Sequence, residues 1–101
     1  MAIKILIPTP LRPSVNQQTE LMVDVDGDVN TIIGSLVESY PKLKVYLVDD
    51  SGALRKFVNF YINDTDIRDL DGEKTVLSDG DCISIVPAIA GGVVWVYLNL
   101  S

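Results

Sequence analysis

The sequence has no histidine, and only one of its 101 residues, Cys82, is a cysteine. These two shortages exclude a Ser-His-Asp or Cys-His catalytic site, a histidine-ligated zinc site and any internal disulfide. Cations are scarce too: 8 Lys and Arg stand against 14 Asp and Glu, for a net charge of −6. Phosphate binding needs clustered cations and the sequence shows no basic stripe, so nucleic acid is not an expected partner. Residues 1–10 hold one lysine and a short apolar run cut by Pro8. They lack the apolar core and small-residue cleavage site of a signal peptide, and the expected compartment is the cytoplasm.

What is present describes a packed core. Apolar residues make up 48% of the chain and charged residues 22%, which is globular rather than disordered, and 101 residues suffice for one domain. Ile3, Ile5 and Ile7 alternate with Lys4 and Leu6 as in a strand, and residues 19–25 give a second strand, antiparallel to the first across a loop. Val29, Ile32, Ile33, Leu36, Val37 and Tyr40 fall at helical spacing, with Asp28 or Asn30 as cap and Pro41 as stop. In residues 42–48, Leu43, Val45 and Leu47 alternate like a strand, although a short helix fits as well. Residues 56–62 read as a strand with Val58, Phe60 and Ile62 on one face and Phe57, Asn59 and Tyr61 on the other. Asn63-Asp64 and Asp79-Gly80-Asp81 read as turns, and residues 82–86 as the last strand. Strand, strand, helix, strand, strand is an α+β plan: a mixed sheet on one main helix, its first and last strands parallel across the crossover. This is the β-grasp plan of ubiquitin-like proteins.

Several residues invite a chemical reading. Cys82 reads as a small buried apolar residue, since no cation beside it in sequence lowers its pKa. Asp24, Asp26 and Asp28 copy the start of a calcium-binding loop, but Val29 replaces the required Gly and Ser35 the bidentate Glu, so calcium is rejected there. Asp64, Asp66, Asp69 and Asp71 read as a solvated loop rather than a metal site. Gly91-Gly92, set between strand-forming residues 83–90 and 93–100, has the pattern of a two-residue hairpin turn. The uncharged stretch from Ile83 to Ser101 argues only weakly for a membrane tail, because Pro87 and the glycine pair interrupt it and no basic residues flank it.

A sharper reading comes from four segments: FVNFYIN at 57–63, DIR at 66–68, LSDGD at 77–81 and IVPAIAGG at 85–92. Together they resemble the ThiS/MoaD family of ubiquitin-like sulfur carriers, in particular the CysO-like subgroup serving thiocarboxylate-dependent cysteine synthesis. PTPLR at 8–12 is similar to that subgroup's first loop. The resemblance implies a carrier rather than an enzyme, with residues 1–92 as its domain and Gly91 and Gly92 as its working end. The resemblance implies no bound cofactor of its own. An E1-like adenylyltransferase of the ThiF/MoeB type uses ATP to adenylate the terminal carboxylate, and a sulfur donor then converts it to a thiocarboxylate. The terminus must thread a narrow channel, which two glycines without side chains permit. A cysteine-synthase-like or other synthase takes the sulfur, and thiazole and molybdopterin carriers share the same tail.

The chain departs from that pattern at its end. Residues 93–101 follow Gly92, so as written Gly92 lies in a peptide bond. The resemblance implies a precursor trimmed by a JAMM-type metalloprotease. Residues 93–98 are uncharged and rich in β-formers, and are expected to pair with a sheet edge or another copy. The alternative is a β-grasp interaction module or protein modifier, with Gly91-Gly92 as hairpin turn or conjugation site. By the same resemblance, Ile62 and Val86 are expected to share an exposed apolar patch for the adenylating enzyme.

Overall fold

The computed structural model describes residues 2–56 and 58–87. Five strands form one sheet: β1 (Ile3–Leu6), β2 (Glu20–Val23), β3 (Val58–Ile62), β4 (Thr65–Asp66) and β5 (Cys82–Pro87), in the order β2-β1-β5-β3-β4. β1 runs antiparallel to β2 and parallel to β5, whose other side pairs antiparallel with β3. The expected parallel pairing of first and last strands is therefore observed. β4, a two-residue strand against Tyr61 and Ile62, was not anticipated. It follows the Asn63-Asp64 turn, where Asn63 takes a positive φ of 54°.

Helix α1 (Val29–Ser39) crosses one face of the sheet. Asp28, not Asn30, caps it by accepting the Thr31 N–H at 2.8 Å. This hydrogen bond is the main reason the Asp28 carboxyl is held below its ordinary pKa. Val29, Ile32, Ile33 and Leu36 are buried against Ile3, Ile5, Phe60, Ile83 and Ile85, so helical and strand periodicities meet in one apolar core. Residues 42–48 resolve in favour of helix: a single turn at Pro41–Leu43 leads into α2 (Lys44–Leu47). Leu43 and Leu47 are buried one turn apart while Val45 is 49% exposed, a division that strand alternation could not produce. The loop after β1 forms a 3₁₀ segment at Thr9–Val15 and plugs the core with Leu11 and Val15. This mixed sheet clasping one main helix is the β-grasp architecture expected from the sequence.

Candidate functional site

β5 lies at the centre of the sheet, hydrogen-bonded on both sides, and its last residue, Pro87, pairs with Val58. Gly91 and Gly92 follow in sequence; they, residues 93–101 and the hairpin reading all lie outside the described residues. From Pro87, five residues reach Gly92, a span of at most about 18 Å. The root of the tail is thus the central strand of the sheet.

Strand alternation decides which side chains surround that root. Ile83 and Ile85 of β5 are buried, as are Val58, Phe60 and Ile62 of β3, and these residues line the core face. Cys82, Ser84 and Val86 therefore point to the opposite, outer face, beside Asn59 and Tyr61. Cys82 is consequently half-exposed rather than buried, a correction to its reading as a core residue.

The expected docking pair divides in the same way. Val86 is 41% exposed on the outer face, whereas Ile62 is 8% exposed and sits in the core opposite Ile83. Ile62 therefore shares no exposed patch with Val86, because the two residues fall on opposite faces of the sheet. On the outer face the apolar neighbour nearest Val86 is Leu6 of β1, 37% exposed and level with Ser84, whereas Met22 of β2, 61% exposed, is level with Lys4 and Cys82 toward the other end of the sheet. Sequence reasoning overlooked both. The signal for Leu6 was available in β1, where it alternates with buried Ile3 and Ile5.

A polar cluster borders Val86. Asn59, directly across from Val86, accepts a hydrogen bond from Arg68 Nη2 at 2.7 Å, and the same nitrogen lies 2.8 Å from Asp66 Oδ2. Hydrogen bonding from the Arg68 guanidinium holds the Asp66 carboxyl below the usual carboxylate range, and Asp66 in turn raises Arg68. Asp66 also accepts the Arg68 backbone N–H, opening the turn Ile67–Asp69. This acid thus fixes a loop and aims an arginine. Among the described residues, no group of three acidic or Cys side chains is placed to hold a metal ion, and no helix is long and apolar enough to cross a membrane.

A β-grasp domain with a Gly-Gly motif at the fourth and fifth residues beyond its central strand defines the class of ubiquitin-like carrier proteins. The chain belongs to the ThiS family, whose profile matches residues 5–92. It is 40% identical over 95 residues to the sulfur carrier protein CysO of Mycobacterium tuberculosis, covering 91% of this chain and all of that protein. The structure resembles that of the Amycolatopsis orientalis BexX/CysO complex, with a TM-score of 0.80 and 33% identity over 90% of this chain and 100% of the matched one. It also resembles the small archaeal modifier protein 1 of Methanosarcina acetivorans, with a TM-score of 0.78 and 31% identity over 90% and 96% of the two chains.

Proposed function

We propose that this member of the sulfur-carrier family works as a precursor whose Gly92, freed by removal of residues 93–101, is adenylated and then converted to a thiocarboxylate. One observation carries the reading: the family match ends at Gly92, the second residue of the Gly-Gly motif. The chemistry belongs to partners. A carboxylate oxygen of Gly92 attacks the α-phosphorus of ATP on an E1-like adenylyltransferase and pyrophosphate leaves. A sulfur donor then displaces AMP from the activated acyl group. An acceptor synthase, cysteine-synthase-like by kinship with CysO, takes the sulfur in the cytoplasm. A JAMM-type protease is the trimming enzyme we expect. In the carrier, β5 anchors the tail and the outer face around Val86 and Leu6 meets the adenylating enzyme.

The likeness to an archaeal modifier protein favours a second reading, in which the freed Gly92 is joined to a target lysine. The product at Gly92 separates the two. With the E1-like enzyme of the same organism, a version ending at Gly92 should support ATP–pyrophosphate exchange and then gain about 16 Da as sulfur replaces oxygen. The full-length chain should support no exchange. Exchange by the full-length chain, or an isopeptide-linked product without thiocarboxylate, would overturn the proposal.

A further inference from the structure

One margin of the sheet is open. β2 ends the strand order, so among the described residues it has a neighbouring strand on one side only. The Ile7 N–H donates to the Thr19 carbonyl at 2.9 Å, which makes Ile7–Thr19 a hydrogen-bonded pair, and antiparallel alternation then makes Ile5–Leu21 and Ile3–Val23 bonded pairs as well. The backbone of Glu20 and Met22 therefore points away from β1. Lys4, opposite Met22, obeys the same alternation by turning its N–H the other way, to the Asp81 carbonyl at 3.1 Å. The N–H and C=O groups of Glu20 and Met22 thus line the free edge.

Beside this edge, between β2 and α1, runs a groove of about 340 Å³ whose lining includes Met22, Val23, Val25, Leu36 and Tyr40. Val23, Val25 and Tyr40 are only partly covered although they pack against the core, and Met22 is 61% exposed. The opposite margin offers far less: β4 has two residues, and one of them, Asp66, is committed to Arg68. An open edge with an apolar groove beside it is the geometry that takes up an added strand, whose backbone supplies hydrogen bonds and whose alternate side chains fill the groove.

We propose that in the uncut chain residues 93–98 are that strand, paired with β2 and seated over the groove, so that trimming after Gly92 uncovers the edge. The storage role rests on reading residues 93–101 as a segment removed in maturation. Composition suits the seat, since residues 93–98 are uncharged and rich in β-formers. Val94, Val96 and Leu98 fall on one face of such a strand and Val93, Trp95 and Tyr97 on the other, so either face brings apolar side chains to the groove while the other lies beside Met22. Left exposed, the same residues are an aggregation hazard.

Reach suits it too. Glu20 and Ser84 both stand level with Leu6, so β2 starts three residues short of the level of Pro87. A strand added outside β2 lies three strand spacings from β5, about 14 Å across and about 10 Å along, or roughly 17 Å in a straight line. Six residue steps from Pro87 to Val93 span up to about 20 Å. Entering there, the strand runs parallel to β2. A short linker holds a tethered segment at an effective concentration on the order of millimolar, so in more dilute solution the chain's own tail wins the edge over that of a second copy.

Amide hydrogen exchange by NMR on the full-length chain tests the seat without any enzyme. The comparison is a full-length variant carrying Trp95→Pro and Val96→Pro, because adjacent prolines remove a tail donor whichever residue parity faces β2. The Glu20 and Met22 N–H groups should exchange about tenfold or more slowly in the parent than in the variant, and those of Leu21 and Val23, bonded to β1, should change far less. Nuclear Overhauser contacts between tail and β2 amides, read in the parent alone, keep the test independent of how the variant folds. Equal exchange in both chains, or contacts that place the tail elsewhere, would overturn the seat. Slowing that disappears on dilution would assign the edge to a second copy and do the same. Absence of any adenylation of the Gly92-ended chain alongside slow exchange at Glu20 and Met22 would instead reject the functional reading and leave the seat standing.

Discussion

Val86 and Ile62 lie on neighbouring strands and face opposite sides of the sheet: Val86 stands across from Asn59 on the outer face, and Ile62 across from Ile83 in the core. Substituting an acid at each position should therefore produce different failures. Val86→Asp should leave the melting temperature within a few degrees of the parent and abolish adenylation of a Gly92-ended chain. Ile62→Asp should unfold the domain, because an unpaired carboxylate in an apolar core costs several kcal/mol, comparable to the whole stability of a small domain. Circular dichroism and pyrophosphate exchange on both variants check this, and a folded, active V86D would remove Val86 from the docking face.

The Asp66–Arg68 pair should give a defined acid response. The folded Asp66 pKa is depressed, so its stabilisation is complete above the unfolded carboxylate value near about 3.9 and is lost as pH falls through the folded value. The stability difference between the parent and Asp66→Asn should thus be constant from pH 7 to about 5 and shrink below about pH 4. Urea titrations across that range measure it. A difference that grows on acidification would contradict the assignment.

Gln17 is a site for stabilisation. It follows Asn16, and both adopt left-handed backbone, with φ of 64° and 58°. A non-glycine residue in this region is strained by about 1–2 kcal/mol, of which glycine's larger unfolded-state entropy cancels part. Gln17→Gly should therefore raise stability by about 0.5–1 kcal/mol in chemical denaturation. Gly27→Ala should do the reverse: φ there is 139°, and an added Cβ would come within 3.1 Å of Thr31 Cβ.

The position of the terminal carboxylate should matter as much as its presence. One alanine added after Gly92 should again block adenylation, because it moves the carboxylate one residue along and places a Cβ where the channel expects none. Pyrophosphate exchange measured on chains ending at Gly92 and at the added alanine makes the comparison directly. Equal exchange would show that the channel tolerates both length and side chain.

Much of this architecture could be read from periodicity. The alternation of buried Ile3, Ile5 and Ile7, the apolar stripe of α1 and the alternation in β3 each extend over enough residues for one period to win, whereas the choice of Asp28 over Asn30 as cap needed the structure. β4 and the single turns at Ile67–Asp69 and Gly72–Lys74 are too short for any period and were missed. Leu43, Val45 and Leu47 satisfied two periods at once, and only packing against the core chose between them. Ile62 was the avoidable error. It shares the face of Val58 and Phe60, and strand parity alone would have assigned it to the interior. The face around Val86 was harder to read because it combines Leu6, Asn59 and Arg68 from segments far apart in sequence, brought together by the sheet order.

The central place of β5 also has a mechanical meaning. A force on the tail, as when a partner draws it into a channel, runs along β5 and loads its ladders with β1 and β3 in shear, so many hydrogen bonds share it at once. Had the tail grown from β2 or β4 at the sheet margin, a single ladder would carry the same pull. The domain is thus built to be held by its end without peeling open.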